Sequence, residues 1–384
     1  MSKHQRIAWV VLCATCLLSS AITVAAETAA PSIRQLQARW SANPNDVANL
    51  QRLAESLLLR ARTQPDARDA AQAEAWIKRA LRLAPEQAKS WELQAWQELN
   101  RHRFRQALAA LDQALQIAPL SARGLGLQAD ALVELGRYDE AQIATQMLLD
   151  QHPGLPAYRR AAHLRFLHGD TPGAIELMQR AVTAGHPRAE ETIAALLQLS
   201  GFYLQDGQLD LAEKTAQDAS EMLPSSAASA AQLGRVRIAQ GDLKTALDLY
   251  QKAARQQLKP EYSLAIYDLA QRLQLPAETR RQVTLLNAMA RQDEKDGGLN
   301  RRLFAQFYAE QPGRARDAER LARLEIQTRP DIYSADTLAW VLYRQGKFLD
   351  ATQLMQQALK LGTLDLALRQ HAHTIFSAVK FGCG

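Results

Sequence analysis

The chain has 384 residues, 46 of them lysine or arginine against 40 aspartates and glutamates, with 47% apolar and 22% charged. A formal charge of +6 without a clustered basic stretch gives no case for nucleic acid, which needs a concentrated basic face. Cysteine is sparse: Cys13 and Cys16 share one apolar run near the start, and Cys383 stands beside the C-terminus.

The first elements read as an export signal. Lys3 and Arg6 precede an apolar stretch over 7–24 that holds no acidic residue, and Val24-Ala25-Ala26 closes it before Glu27. This build predicts a secretory signal peptide over 1–26, cleaved after about Ala26. The alternative is a retained N-terminal anchor, because the run approaches the roughly 18 apolar residues that span a bilayer. Neither Cys13 nor Cys16 follows the pattern of a lipoprotein cysteine. Cleavage removes Lys3 and Arg6, which leaves 44 basic against 40 acidic side chains, and keeps only Cys383. A single tail cysteine cannot form an internal disulfide, so stability has to come from helix packing.

Next comes a polar lead over 27–45. Asn43-Pro44-Asn45-Asp46 reads as a turn with an N-cap, after which Leu50, Leu53, Ala54, Leu57 and Leu58 recur at helical spacing and predict a helix over about 46–62. Pro65-Asp66 breaks it, and Ala73, Ile77, Ala80 and Leu83 line a second helix before Pro85. Pro85, Pro119 and Pro153 are then spaced by intervals of 34 residues, and the segment between them states one unit almost twice over. The beat continues to Pro187, stretches to 37 residues before Pro224, and drifts through Gly169, Ala174 and Ala181, then Gly207, Ala212 and Ala216. Leu233-Gly234, Gly241-Asp242, Ala246, Tyr250 and Ala253 make its cleanest copy, with Tyr250 expected to fill the gap to the neighbouring pair. A pair over 260–292, broken near Leu275-Pro276, lacks the turn glycine; the polar 293–298 stretch is a hinge or a longer loop. Helices over about 299–310 and 314–328 lead to Pro330, and Ala339, Gly346, Phe348, Ala351, Met355 and Ala358 give one more repeat. A closing helix over 364–379 and a tail over 380–384 complete the chain.

A self-similar period of this size indicates stacked helical hairpins. In one copy Trp91, Ala95, Phe104, Ala107, Leu111, Ala114 and Pro119 fall at the large, small and helix-ending positions. The next copy has Leu125, Ala129, Tyr138, Ala141, Thr145, Leu148 and Pro153, with Gly136 in the turn. These spaced positions resemble the tetratricopeptide repeat family, and the run over 336–351 looks like the last repeats of bacterial envelope members. The resemblance implies an all-α, right-handed superhelical solenoid of about nine helix pairs plus a C-terminal capping helix, in two parts over 46–292 and 299–379. It also implies a concave face lined by the first helix of each pair, offering Lys89, Glu92, Leu93, Trp96, Leu99 and Asn100, then Arg123, Leu127, Asp130, Val133 and Glu134. Later repeats add Arg160, Leu164, Gln198, Gln205, Gln232 and Arg235. A groove of arginines among apolar side chains suits a partner helix or an extended segment, with arginine pairing to carboxylates.

Shorter motifs weigh less. Gly124-Leu125-Gly126-Leu127-Gln128-Ala129 matches a dinucleotide fingerprint, but that fingerprint needs a preceding strand, and here it lies inside a repeat helix. His371 and His373 point about 200° apart on a helix and cannot clasp one ion, and His163 with His168 is little better. Ser225 or Ser226 reads as a helix cap rather than a nucleophile, and the acidic loop at Asp293 to Asp296 lacks calcium-loop spacing. The family's carboxylate clamp places asparagine where this chain has Trp96 and Asp130, and the aspartate would repel a carboxylate. The expectation is a non-catalytic periplasmic scaffold that uses no cofactor and docks proteins of a bacterial envelope system such as a pilus, secretion or polysaccharide-export assembly. It contacts membrane only if the N-terminal segment is retained. The alternatives are a membrane-tethered assembly or quality-control factor, and an enzyme or small-ligand sensor with an unrecognised pocket.

Overall fold

The computed structural model describes residues 31–63 and 67–381, so the export signal expected over 1–26, Pro65-Asp66 and Cys383 lie outside the described residues. Twenty helices and no strand occur among them. The pairs are α2(Val47–Thr63) with α3(Ala67–Leu83), α4(Ala88–Asn100) with α5(Phe104–Ile117), α6(Ala122–Glu134) with α7(Tyr138–Gln151), α8(Leu155–Leu167) with α9(Thr171–Ala184), and α10(Glu190–Gln205) with α11(Leu209–Met222). Next come α12(Ala227–Ala239) with α13(Leu243–Gln256), α14(Pro260–Arg272) with α15(Pro276–Lys295), α16(Arg301–Ala309) with α17(Ala315–Thr328), and α18(Ile332–Arg344) with α19(Phe348–Ala358). α20(Leu366–Phe381) closes the stack, and α1(Ile33–Ala42) opens it.

α1 falls in the stretch expected to be only a polar lead. A capping box at Ser32 and Gln35 starts it, and Leu36 is fully buried. The periodic prolines Pro119 and Pro153 sit between pairs, where a missing N–H costs no helical hydrogen bond. Ser226 caps α12 by accepting the Ser229 amide at 3.1 Å, and Asp46 accepts the Asn49 amide at 3.1 Å. The polar stretch at 293–298 is a tight capped turn: α15 runs on to Lys295, and Asp293 accepts hydrogen bonds from the Asn300 amide and side chain.

Each described turn inside a pair, from α4–α5 onward, holds one left-handed residue. It is Gly136, Gly169, Gly207, Gly241, Gly313 or Gly346, and in two pairs a side chain stands in the same slot, His102 (φ 54°) and Gln274 (φ 57°). The small positions Ala95, Ala107, Ala129, Ala141, Ala246 and Ala351 are fully buried where paired helices meet. Gly234 faces the ring of Tyr250 in its own pair so closely that a Cβ would come within 2.8 Å of it, while Tyr250 also joins a core with Tyr262 and Ile266 of α14.

The solenoid does not stay open. One apolar core runs from Ala95, Leu135 and Tyr138 straight to Phe304, Ile332, Leu338 and Ile375, joining α4–α8 with α14–α20. The turns of consecutive N-terminal pairs lean on the loops between C-terminal pairs. Arg105 donates to the Gln327 carbonyl (3.2 Å), the Tyr138 hydroxyl accepts the Ile332 amide (3.0 Å), and Gln205 accepts the Leu366 amide (2.9 Å). Gly136 lies so near the Pro330 carbonyl, and Gly169 so near that of Gly362, that a Cβ on either would be closer than the 3.0 Å real Cβ atoms respect.

Candidate partner groove

The first helices α4, α6, α8 and α10 lie in series, so residues one period apart occupy matching places: Trp96, Asp130, Leu164 and Gln198 are each separated by 34 residues. All four line one cavity of about 610 Å³. A second cavity of similar volume lies toward the loop at His152 and Pro153, and the two share a wall of Trp96, Leu127, Pro156 and Arg160.

Gly126 makes this wall possible. A Cβ there would sit 3.0 Å from the Arg160 guanidinium, and the bare backbone instead accepts Arg160 Nε through its carbonyl at 3.0 Å. Arg160 then grips Asp130 with two bonds of 2.9 and 2.6 Å and reaches the Pro156 carbonyl at 3.0 Å. Gly124 likewise packs against Leu115, whose side-chain methyl lies 2.8 Å from where a Cβ would be. The dinucleotide-like pattern is therefore two packing glycines on one helix.

Across the cavity Arg329, from the C-terminal part, enters at the closure seam. Its Nε lies 2.6 Å from Glu134 Oε2, and its guanidinium lies 5.2 Å from the Phe104 ring centre. His102 is within 3.4 Å of it and 5.5 Å from Phe104. Burial, reinforced by the positive charges of Arg329, Arg301 and Arg302, lowers His102 to about 4, so it is neutral at pH 7. Burial pushes Glu134 up, against the pull of Arg329, and it lowers His163 on the opposite wall.

The residues expected on the concave face divide. Trp96, Asn100, Asp130, Glu134 and Arg160 line the inner cavity together. Arg123 lines the outer one, 5.7 Å from the Trp96 ring centre, and pairs with Glu55, as does Lys89 at 3.0 Å. Burial raises Glu55, but hydrogen bonds from Arg123 and Lys89 outweigh it and hold the carboxyl below its usual range. Glu92 is not offered to a partner: it is buried and accepts the Ser121 hydroxyl. Leu93 is core, Gln232 is buried and donates to Ser200, and Gln205 is taken up by α20. Arg235 stands apart, exposed on α12, where its positive charge acts on Tyr250 against the burial that raises that hydroxyl. His371 is paired with buried Asp336 at 2.9 Å and stacked on Trp340 at 4.3 Å, whereas His373 is exposed.

Residues 99–163 and 202–263 match models of the tetratricopeptide repeat. The chain resembles the tetratricopeptide repeat family. No curated protein matches it in sequence. Among solved structures it is similar to the human IFIT1 dimer with PPP-AAAA, at 17% identity and TM-score 0.54 over 86% of this chain and 77% of that one. A monomeric IFIT1 mutant with Gppp-AAAA gives 15% identity and TM-score 0.56 over 86% and 76%. The APC/C hetero-tetramer Cut9-Hcn1 gives 14% identity and TM-score 0.48 over 89% of this chain, which spans 58% of the length of that one. At such identity the likeness shows the fold alone, an all-α repeat superhelix. Tetratricopeptide repeats imply a protein-interaction scaffold.

Arg329, His102 and Phe104 were missed as site residues because repeat logic follows one pair onto the next and never looks across the superhelix. One signal was legible: His102 occupies the tetratricopeptide turn slot that glycine fills in most copies.

Proposed function

We propose that this chain is a non-catalytic periplasmic scaffold that holds proteins of a bacterial envelope assembly on its concave face, near α4, α6, α8 and α10. One observation carries the reading: in Trp96 and Leu127 the first helices present half-buried apolar side chains to the cavities, and buried Leu164 forms part of the same lining. The export-signal pattern over 1–26 supports the compartment. No helix among the described residues is long and apolar enough to cross a membrane. The test is in-cell cross-linking and capture from the periplasmic fraction, wild type against Trp96→Ala combined with Leu127→Asp, with intact mass reporting cleavage near Ala26. Capture of a defined envelope protein that the double variant loses, at unchanged helicity, supports the reading. Capture that the variant leaves unaltered removes the concave face from it, and a cytosolic, uncleaved chain removes the periplasm.

The inner cavity favours one second reading, a small polar ligand held between His163, Gln198 and Asn100. Retention of a low-mass compound through native mass spectrometry, with no protein captured, would favour it.

A further inference from the structure

We propose that the groove takes a short, uncharged segment of the partner protein, with one aliphatic side chain in the outer cavity and its backbone hydrogen-bonded in the inner one. The inference rests on the concave-face reading above and names its chemistry.

Charge carries the argument first. The cations on and beside the groove are already engaged: Arg160 by Asp130 and two carbonyls, Arg329 by Glu134, Arg123 and Lys89 by Glu55, and Arg159 by the Gln198 side-chain carbonyl. A carboxylate drawn to Arg160, Arg123 or Arg329 competes with the carboxylate already paired there, which reduces what it gains from entering the groove. It would also approach Glu191, exposed at the inner rim. A cation would meet the same arginines. An occupant without charge disturbs none of them.

Lining chemistry then sets orientation. The outer cavity is walled by Leu127, Leu148, Pro153 and Pro156, which suit an aliphatic side chain. The inner cavity offers Asn100, Gln198 and His163, groups that both donate and accept and so can satisfy an extended peptide backbone. Length is bounded by the seam: Arg329 stands at the far side of the inner cavity, its side chain only 11% exposed and held by Glu134, so the groove does not continue into the C-terminal repeats. A long partner helix has no path there.

Three pools of blocked octapeptides test this on the full exported chain: alanine, leucine and asparagine alone, the same with two glutamates, and the same with two lysines. Binding is read by fluorescence polarisation for wild type, Leu127→Asp and Leu127→Met. The neutral pool should bind about ten-fold or more tightly than either charged pool, lose about ten-fold in Leu127→Asp at unchanged helicity, and keep its affinity in Leu127→Met. Preference for the acidic or the basic pool overturns the proposal but leaves the concave face standing if Leu127→Asp still abolishes partner capture. Neutral binding that ignores Leu127→Asp overturns it too, and if partner capture is equally indifferent, the concave-face reading falls with it. Concentration-dependent dimers that Leu127→Asp dissolves would give the groove to a second copy. That result refutes the proposal.

Discussion

The closure of the superhelix can be tested by adding one methyl group. Gly136 (φ 66°) and Gly241 (φ 83°) occupy the same turn slot in different pairs, so alanine at either pays the same left-handed penalty, about 1–2 kcal/mol. They differ in surroundings. A Cβ at Gly136 collides with the Pro330 carbonyl, which is backbone and cannot swing aside, whereas nothing lies within 4 Å of a Cβ at Gly241. The difference between the variants therefore isolates the seam, and forcing an atom into packed surroundings costs typically about 1–3 kcal/mol. Urea unfolding followed by circular dichroism should place Gly136→Ala below Gly241→Ala by that amount, with small-angle scattering showing a larger radius for Gly136→Ala as the ends part. Gly169→Ala, whose Cβ would fall 2.5 Å from the Gly362 carbonyl, should follow Gly136→Ala. Equal stabilities and equal radii for Gly136→Ala and Gly241→Ala would refute the closed superhelix.

Other outcomes follow from the same contacts. Because His102 is lowered from 6.5 to about 4, the unfolded chain binds the extra proton first, so its share of stability is complete above 6.5 and is lost as pH falls toward 4. That share is at most about 3 kcal/mol, and roughly half after solvent screening. His102→Gly should flatten this slope in pH-dependent urea melts, with the raised Glu134 and Glu325, which act in the opposite sense, common to both proteins. Arg329→Gln leaves Glu134 without its cation and should cost about 1–3 kcal/mol, with an expanded scattering radius; loss of stability without expansion would place Arg329 outside the seam. Gly234→Ala should destabilise by about 1–3 kcal/mol in urea because its methyl meets the Tyr250 ring, although helix propensity alone predicts a gain of about 1 kcal/mol.

Much of the local architecture was legible because the repeat writes its packing at every period. Buried Ala95, Ala129 and Ala246 sit where two helices must touch, Pro119 and Pro153 sit between pairs, and Ser226 caps its helix. The same local evidence was present but passed over for α1, whose Ser32 and Gln35 form a capping box in a stretch polar enough to look unstructured. On the groove, Trp96, Asp130, Leu164 and Gln198 could be aligned from their 34-residue spacing alone. What spacing could not say was that Asp130 faces Arg160, or that Glu92 turns inward to Ser121, since both depend on side-chain direction between neighbouring pairs.

Sequence by itself determined the hairpin, its period and its all-α class, because each pair meets its neighbours within one or two periods and the small, large and turn residues recur at that distance. Only the tertiary structure decided that the stack closes on itself. That outcome depends on the small rotation added at each pair, summed over many pairs, and on contacts such as Tyr138 with Ile332, 194 residues apart, and Arg329 with Glu134. These contacts follow no period, so no repeat pattern can announce them, yet they set where the groove ends and which of its charges remain available.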